Sequence, residues 1–296
     1  MTAEHDDTSR MPTWGDARAA AAARLRTGAD PATAVLDADV LLAFALGGTK
    51  EELLAHPERP LDAPDEARVR VLVERRHAGE PVAYLRGWKE FYGLRFRVDP
   101  RVLIPRPETE TLVDEARRLI SGRALVVADI GTGSGAIACA IAAHEHRVRV
   151  IATEVSPGAL EVAEANALSL GVAERVELRL GDLLEPLTEI VDVVCANLPY
   201  LREDAMADLA GERISLAYEP RSAVVSGADG LDHIRRAAAD LPRVLRPGGV
   251  ALFECDPPQA AAIAELLRPF GETRVLKDLA GDDRVVSLER RPIIAT

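Results

Sequence analysis

The sequence is poor in cysteine and histidine, and neither residue occurs at a spacing typical of disulfides or metal sites. Its three cysteines, Cys139, Cys195 and Cys255, lie far apart in apolar surroundings and form no CxxC pair. An odd number of unpaired cysteines argues against a disulfide framework and favours buried, reduced thiols. Histidines cluster only at His144 and His146, and residues two apart on a helix point to different faces. We therefore predict no metal site.

Long apolar runs and an excess of basic charge are also lacking. The run Val40–Leu46 is far shorter than a membrane-spanning helix, and the first residues, MTAEHDDTSR, are acidic rather than signal-like. Asp and Glu (48) outnumber Lys and Arg (36), which gives a net charge of −12. Such a chain lacks the basic surface with which proteins bind duplex nucleic acid, although a local basic patch is compatible with it. We expect a cytoplasmic protein with a disordered lead over residues 1–12 and with no membrane or direct nucleic-acid partner.

The length of 296 residues and the hydrophobic content of 48% are typical of two domains with real cores. Between Trp14 and Gly79 every periodic segment has the spacing of a helix, which predicts four or five short helices in a bundle over residues 13–87. Residues 88–105 alternate aromatic or branched residues with polar ones, which predicts a β-hairpin connector. Residues 106–296 would then form the second domain.

From Leu125 onward, short apolar runs alternate with helical segments. Nearly continuous apolar strands indicate a parallel sheet covered on both faces, and the last two runs flank KDLAGDD like a closing hairpin. The expected fold is α/β, Rossmann-like, with a mostly parallel seven-stranded sheet and an N-terminal helical bundle. The predicted strands are Leu125–Ile130, Val148–Thr153, Val176–Leu180, Val191–Ala196, Val250–Glu254, Thr273–Leu276 and Arg284–Leu288.

A glycine-rich loop, DIGTGSG, joins the first of these strands to a helix. Glycines there let the backbone turn tightly and let a ligand approach amides at a helix N-terminus. Read as G-x-G-x-x-A, the loop is compatible with a dinucleotide. Read as D-x-G-x-G-x-G, it fits S-adenosyl-L-methionine, because a carboxylate is unfavourable beside a pyrophosphate but favourable near a sulfonium. The candidate cofactor-binding residues of this loop are Asp129, Gly131, Thr132, Gly133, Ser134 and Gly135.

Acidic residues that follow the next two strands extend this candidate site. Glu154 ends the second strand, where a carboxylate can accept hydrogen bonds from both hydroxyls of a ribose. Asp182 and Leu183 follow the third strand. There the Asp side chain could accept from the exocyclic amine of an adenine while the Leu side chain packs on the ring.

The buried strand in IVDVVCANLPY ends in a carboxamide, a proline and a tyrosine. Because this strand should lie beside the first, Asn197 should lie near the reactive end of the cofactor, and we count it in both sites. An amide or aryl NH₂ is a poor nucleophile, since its lone pair is delocalised. The Asn197 side-chain oxygen and the Leu198 carbonyl could bind its two N–H groups. Pro199 would stiffen the turn and Tyr200 would pack on the planar group, so that methyl transfer depends mainly on positioning.

With these motifs in place, the sequence resembles the protein N5-glutamine methyltransferases that modify class 1 peptide chain release factors. The resemblance covers nearly the whole chain from about residue 30, and the IPRPETE and NLPY strings carry most of it. It also includes the stretches GEPVAYLRGWKEFYGLRFRV, YEPRSAVVSGADGLD and DLAGDDRVV.

The resemblance implies a class I S-adenosylmethionine-dependent methyltransferase domain over residues 106–296 and a helical domain over residues 13–87 that docks the release factor. It places the glutamine of a Gly-Gly-Gln loop at Asn197, Leu198, Pro199 and Tyr200. The family's usual tetrapeptide is Asn-Pro-Pro-Tyr. Leu198 therefore replaces a proline, but it retains the backbone carbonyl that serves as an acceptor.

Arg106 and Glu108 have two interpretations. Pro107 at a first-turn position, with acidic residues beside it, is typical of helix initiation alone. The resemblance instead implies that Arg106 and Glu108 form a wall of the substrate pocket. The sequence of Glu254, Cys255 and Asp256 departs from the family's usual strand end, and no role is assigned to it.

Three other functions are compatible with parts of the sequence, but each leaves some of it unexplained. A nucleic-acid adenine-N6 methyltransferase would use the same turn chemistry, but the acidic chain offers no obvious lysine-rich surface for a nucleic-acid backbone. A nicotinamide-dependent oxidoreductase would use the glycine loop but leaves the NLPY turn unexplained. A non-catalytic adaptor would not require candidate residues at every cofactor position.

Overall fold

The computed structural model describes residues 11–207 and 211–292, so most of the lead predicted over residues 1–12 lies outside the described residues. By its internal contacts the chain divides into two units. The first runs to Arg86 and also includes residues 209–218, and the second holds the remainder. Across the described ranges, no helix has the length and apolar character needed to cross a membrane.

The first unit is a bundle of short helices, in agreement with the helical periodicity. Several helices begin at a side-chain cap: the Thr13 hydroxyl accepts from Asp16 N at 3.2 Å, and the Thr49 hydroxyl accepts from Glu52 N at 3.1 Å. Arg76, which is buried, donates to Asp37 at 2.7 Å and links two of the helices. The helices are α1 Trp14–Leu25, α2 Ala34–Ala45, α3 Lys50–Ala55, α4 Ala63–His77 and α5 Val82–Arg86, with a 3₁₀ turn at Gly211–Tyr218.

The second unit begins with an antiparallel hairpin, β1 Trp88–Phe91 and β2 Leu94–Arg97. Its two-residue turn takes positive φ at both Tyr92 (53°) and Gly93 (70°), which suits the twist of paired strands. The buried faces of the hairpin belong to the core of this unit.

The main sheet has seven strands in the order β5-β4-β3-β6-β7-β9-β8. β3 to β7 run parallel, and β9 is antiparallel to both of its neighbours. The seven-stranded, mostly parallel sheet is therefore confirmed. The strands are β3 Val126–Ile130, β4 Arg149–Glu154, β5 Val176–Leu180, β6 Val191–Ala196, β7 Leu245–Glu254, β8 Gly271–Lys277 and β9 Asp283–Arg290.

Helices cover both faces of this sheet. One hydrophobic core includes buried residues of α6 and α7, and a second includes buried residues of α10 and α11. The helices are α6 Glu110–Ile120, α7 Ala136–His144, α8 Pro157–Ser169, α9 Arg221–Val224, α10 Asp232–Val244 and α11 Ala260–Leu267.

The structure extends three of the predicted strands: β8 and β9 by one or two residues at each end, and β7 by more. β7 begins at Leu245, five residues before the predicted start, and its pairing with β6 shifts register near Val191. The segment Arg246–Gly249 contains Pro247 and two glycines, which the sequence pattern treats as a turn. The three cysteines are buried and free, as predicted.

The strand order places a topological switch point between β3 and β6. The chain passes from β3 to β4 on one side, whereas β6 and β7 lie on the other. Ligands of open α/β sheets bind at the carboxyl ends of the strands that meet there. The glycine loop follows β3, Glu154 ends β4, Asn197 follows β6 and Glu254 ends β7. The three predicted positions and Glu254 thus meet at one edge of the sheet.

Candidate active site

The glycine loop takes a backbone conformation that its glycines permit. Gly131, Gly133 and Gly135 have φ of 68°, 56° and 78°, a region that other residues adopt at a cost. Thr132 N donates to Thr153 O of β4 at 2.9 Å. A Cβ on Gly135 would lie 3.3 Å from the Cα of Ala163, so α8 packs directly against the loop. The loop is held close to the sheet on the side of β4.

Asp129 lies beneath the loop and is fully buried. Its Oδ2 accepts from the Thr132 hydroxyl at 2.6 Å and from Ala138 N at 3.1 Å. Burial raises the pKa of Asp129 to about 6, and the two hydrogen bonds oppose that rise. Its Oδ1 is buried and has no hydrogen-bond partner within residues 11–207 and 211–292. Asp129 therefore orders the loop and places negative charge just below it.

Glu154 braces the loop from the neighbouring strand. Its Oε2 accepts from Gly133 N at 2.9 Å, and its Oε1 accepts from Ser156 N at 2.9 Å. An ionised carboxylate has about four acceptor positions, so each oxygen can accept another hydrogen bond. Two ribose hydroxyls are donors of the right kind and number for these positions.

The turn after β6 packs against the glycine loop. Leu198 is buried, and its Cδ2 lies 3.0 Å from where a Cβ on Gly131 would be. Asn197 Nδ2 donates to the Thr109 hydroxyl at 3.1 Å. Leu201 N donates to Val224 O at 2.8 Å, which ties the end of the turn to the YEPRSAV segment. The two motifs of the predicted site are therefore in direct contact.

Tyr200 is half-buried. Burial, followed by the nearby Glu254 carboxyl, raises the pKa of the Tyr200 phenol, whereas Arg284 opposes this rise. Gln259 Nε2 donates to the Tyr200 carbonyl at 3.0 Å and holds the backbone there. The phenol is therefore neutral at physiological pH and can pack on a planar group without adding charge.

A single cleft collects most of these groups. Of the predicted residues, the cleft is lined by Gly131, Thr132, Gly133, Ser134, Glu154, Asn197 and Pro199. Pro105 and Thr109 of the IPRPETE string and Pro220, Ser222 and Ala223 of the YEPRSAV string line it too. Predicted cofactor and substrate residues thus face the same space.

Other predicted residues lie elsewhere. Asp182 and Leu183 line a separate depression, where Asp182 forms an ion pair with Arg236. The backbone of Leu183, with φ of 47°, is tied to β4 because its carbonyl accepts from the Thr153 hydroxyl at 2.7 Å. Their roles toward an adenine stay a prediction.

The two predicted pocket-wall residues differ in their surroundings. Arg106 forms an ion pair with Glu219, whose side chain is fully buried, and Glu219 Oε2 also accepts from Ile104 N at 3.1 Å. Glu108 is exposed. Pro107 lies in a short 3₁₀ turn, Pro107–Thr109, that leads directly into α6, as helix initiation requires. Both the structural and the substrate-binding interpretation of Arg106 are compatible with this arrangement.

Both the helical part and the sheet-containing part of the chain match known protein families. The PrmC N-terminal domain family matches residues 16–87, and the methyltransferase small domain family matches residues 109–218. The release factor glutamine methyltransferase of Moorella thermoacetica is 42% identical over 261 residues, which span 86% of this chain and 91% of that protein. The enzyme of the same name from Bordetella pertussis is 43% identical over 263 residues, spanning 87% and 95%.

The chain belongs to the release factor glutamine methyltransferase family.

A solved structure outside this family shares the fold. The hMettl16 catalytic domain, determined in complex with MAT2A 3′UTR hairpin 6, aligns with a TM-score of 0.55 and 16% identity over 79% of this chain and 84% of that chain. At that identity the likeness concerns the fold alone.

Three residues near the site of this release factor glutamine methyltransferase family member were not predicted from its sequence. Thr109 and Glu219 lie inside the IPRPETE and YEPRSAV strings, which marked the segments but assigned these side chains no role. Asn166 on α8 is buried and donates from Nδ2 to Ser134 O at 2.8 Å and to Arg97 O at 3.0 Å. An asparagine within a helical pattern carries no sequence signal for such a contact.

Proposed function

We propose that this protein transfers a methyl group from S-adenosyl-L-methionine to the side-chain amide nitrogen, N5, of the glutamine in the Gly-Gly-Gln loop of class 1 peptide chain release factors. The observation that carries the proposal is that Asn197 and Pro199 line one cleft with Gly131, Gly133 and Glu154. A carboxamide acceptor thus lies beside a loop suited to a nucleoside donor. Membership of the release factor glutamine methyltransferase family supports the choice of substrate.

The residues around the glycine loop fit the methyl donor. Glu154 offers free acceptor positions to ribose hydroxyls, and the negative charge of Asp129 beneath the loop favours a cationic ligand. When bound, S-adenosylmethionine supplies an electrophilic methyl carbon on a positively charged sulfur. The protein's part is to hold the amide nitrogen in line with that carbon.

The turn of residues 197–200 after β6, here called the acceptor turn, compensates for the poor nucleophilicity of an amide. The Asn197 Oδ1 and the Leu198 carbonyl would accept the two N–H groups of the glutamine amide and draw its lone pair toward nitrogen. Held in line by these two acceptors, the nitrogen would form its bond to the methyl carbon while the donor's sulfur–carbon bond breaks and its electron pair stays on sulfur. One proton leaves the nitrogen, which becomes acidic as it bonds, and passes to solvent. Positioning of this kind is a large contribution to rate in reactions of two bound groups.

The domain assignment belongs to the same proposal. Residues 13–87 would dock the release factor, residues 88–105 would connect, and residues 106–296 would carry out methyl transfer in the cytoplasm. The match of the PrmC N-terminal domain to residues 16–87 supports a dedicated first domain, and the fold of the second unit supports methyl transfer.

Replacement of the acceptor residue tests this function. In Asn197→Ala, we expect kcat to fall by about 10²- to 10³-fold, the range seen when one preorganised group at a reacting centre is removed. Binding of S-adenosylmethionine, measured by calorimetry, should be retained because Glu154 and the loop are untouched. The assay uses labelled donor and purified release factor, and mass spectrometry locates the label. Wild-type turnover by the variant, or label on another residue type, would contradict the proposal.

A further inference from the structure

The backbone just beyond the acceptor turn lies along the YEPRSAVVSGADGLD stretch. Leu201 N donates to Val224 O at 2.8 Å, and Ser226 N donates back to Leu201 O at 2.9 Å. Glu203 N donates to the Gly227 carbonyl at 3.1 Å. These three bonds fix the chain that follows the turn and leave the turn itself to other contacts.

Gln259 supplies a contact with the turn itself. Its Nε2 donates to the Tyr200 carbonyl at 3.0 Å and to the Asp229 carbonyl at 3.1 Å. A carboxamide nitrogen carries two hydrogens, so these two bonds use both of them. Because both partners are carbonyl oxygens, the amide must present its nitrogen to them and not its oxygen. Gln259 thus joins the last residue of the turn to the stretch beside it.

Gly230 makes this close approach possible. Its φ is 81°, and a Cβ at this position would overlap the Tyr200 carbonyl oxygen and lie 2.5 Å from Gln259 Nε2. Any residue with a side chain would therefore displace the Tyr200 carbonyl or the Gln259 amide. The backbone of Gly230 is in direct contact with the end of the acceptor turn.

Helix capping does not account for Gln259. The residue directly precedes α11, but its side chain makes no capping hydrogen bond to that helix. Its Oε1 is buried and has no hydrogen-bond partner within the part of the chain that the structure describes. A buried amide oxygen without a partner costs stability, so the benefit of this amide lies in the two bonds that its nitrogen donates.

We propose that Gln259 is a positioning residue that sets the direction of the Leu198 carbonyl by holding the Tyr200 carbonyl. This inference rests on the proposed function, in which the Leu198 carbonyl accepts an N–H of the substrate amide. Only Pro199 separates the two residues, and its ring fixes its φ, so few rotatable bonds lie between the two carbonyls. Leu198 has no ring to restrict its own φ, which makes an anchor at Tyr200 more important for the turn.

Two substitutions at Gln259 form a matched test. Gln259→Met keeps the length of the side chain and removes both donors. Gln259→Glu keeps the shape, but an ionised carboxylate only accepts and would face two carbonyl oxygens. We expect kcat to fall by about 10-fold in Gln259→Met and about 100-fold in Gln259→Glu, since a misplaced group at a reacting centre costs up to about 10²-fold. The Kd for S-adenosylmethionine, measured by calorimetry, should change little because Glu154 and the glycine loop are untouched.

The order of the two variants distinguishes positioning from packing. If Gln259 only filled space, Gln259→Glu would be the milder change, because glutamate matches glutamine in shape more closely than methionine does. Glu265→Gln is a control for a change of charge on α11, and it should leave kcat unchanged because Glu265 is exposed. Melting curves establish that each variant is folded, and Gln259→Met alone decides the matter if Gln259→Glu does not fold.

The outcomes separate this inference from the proposed function. Wild-type kcat in a folded Gln259→Met, or a smaller loss in Gln259→Glu than in Gln259→Met, would overturn the positioning role even if Asn197→Ala is inactive. A loss of donor affinity as large as the loss of kcat would also overturn it, since the whole site would then be distorted. A larger loss of kcat in Gln259→Glu, with donor binding retained, supports it. Wild-type turnover by Asn197→Ala would instead reject the proposed function itself, whatever the Gln259 variants do.

Discussion

Asp129 and Glu254 are two buried carboxyls at the same edge of the sheet, and the groups that stabilise their charge differ in kind. Asp129 accepts from Thr132 and from Ala138 N, which follow it closely in the chain. The charges that lower the pKa of Glu254 come from Arg284 and Arg106, which are distant from it in the chain. The first carboxyl orders the loop beside the donor from within its own motif. The second acts on the acceptor turn, where its charge raises the pKa of Tyr200.

This difference also explains their electrostatics. Burial raises the pKa of both groups, to about 6 for Asp129 and about 7 for Glu254. Two hydrogen bonds to one oxygen oppose the rise for Asp129, whereas the charges of Arg284 and Arg106 are among the influences that oppose it for Glu254. Both carboxyls keep one buried oxygen without a hydrogen-bond partner among the described residues, so the bonding of neither is complete and burial dominates the pKa of each.

The largest expected effect comes from removing the local carboxyl. Asp129→Ala should weaken S-adenosylmethionine binding by about 100-fold, because two hydrogen bonds of about 1 to 1.5 kcal/mol each no longer order the loop. Asp129→Asn is the matched control, since it keeps an acceptor oxygen and should fall between Ala and wild type. Calorimetric titration of the donor measures both variants.

The difference between the two carboxyls predicts that Asp129→Ala weakens donor binding without weakening binding of the release factor. In Asp129→Ala, the KM for the release factor should be nearly unchanged, because the acceptor turn is held by Thr109, Gln259 and Val224 instead. A rise in that KM as large as the loss of donor affinity would show that the two carboxyls do not serve separate halves of the site.

Glu254 predicts a smaller effect on stability, with a defined pH dependence. Its folded-state pKa lies above its ordinary value, so the folded protein binds more protons and the free energy of unfolding falls as the pH rises from about 4.5 to about 7. The rise in the pKa of Glu254 from 4.5 to about 7 corresponds to roughly 3 kcal/mol of stability that is lost when the buried carboxyl ionises. Glu254→Gln should therefore be more stable than wild type at pH 8, by about 1 to 3 kcal/mol, and the gain should be smaller at pH 5.

Thermal melts at the two pH values provide the measurement. Glu272→Gln is a suitable control, because Glu272 is an exposed glutamate of β8 and its replacement should give no such pH-dependent gain. An equal gain at pH 5 and pH 8, or none at either, would show that the ionised Glu254 is not destabilising in the folded protein.

Features that lie within one short stretch of the chain could be predicted from the sequence. The strand, loop and helix around Asp129 lie within one short stretch, so the glycine spacing predicted the loop and its place after the first strand of the sheet. Apolar runs likewise predicted the seven strands, apart from the start of β7, where Pro247 and two glycines hide a strand that continues through an irregular segment.

Contacts between distant segments could not be predicted in this way. Nothing in the spacing of Thr109 indicates that the 3₁₀ turn before α6 brings its hydroxyl to the Asn197 side chain. The ion pair of Arg106 with the buried Glu219 is a second case. In both, a motif marked the right segment, but the partner of each side chain depends on how the tertiary fold arranges separate elements.

Leu198 lies between the glycine loop and the acceptor turn, and its replacement should have the smallest effect on catalysis and donor binding. It is buried and packs on Gly131, and it stands where the family usually has proline. Leu198→Pro keeps the backbone carbonyl that would accept a substrate N–H, so we expect kcat and donor affinity to change by less than about threefold, within the cost of a tolerated hydrophobic replacement. Leu198→Ala is the informative control, because a cavity beside Gly131 should disturb the loop and weaken donor binding more than proline does. If kcat and donor affinity fell severely in Leu198→Pro but only mildly in Leu198→Ala, the backbone conformation of the turn would depend on leucine. Packing of Leu198 against the glycine loop would then not be its main role.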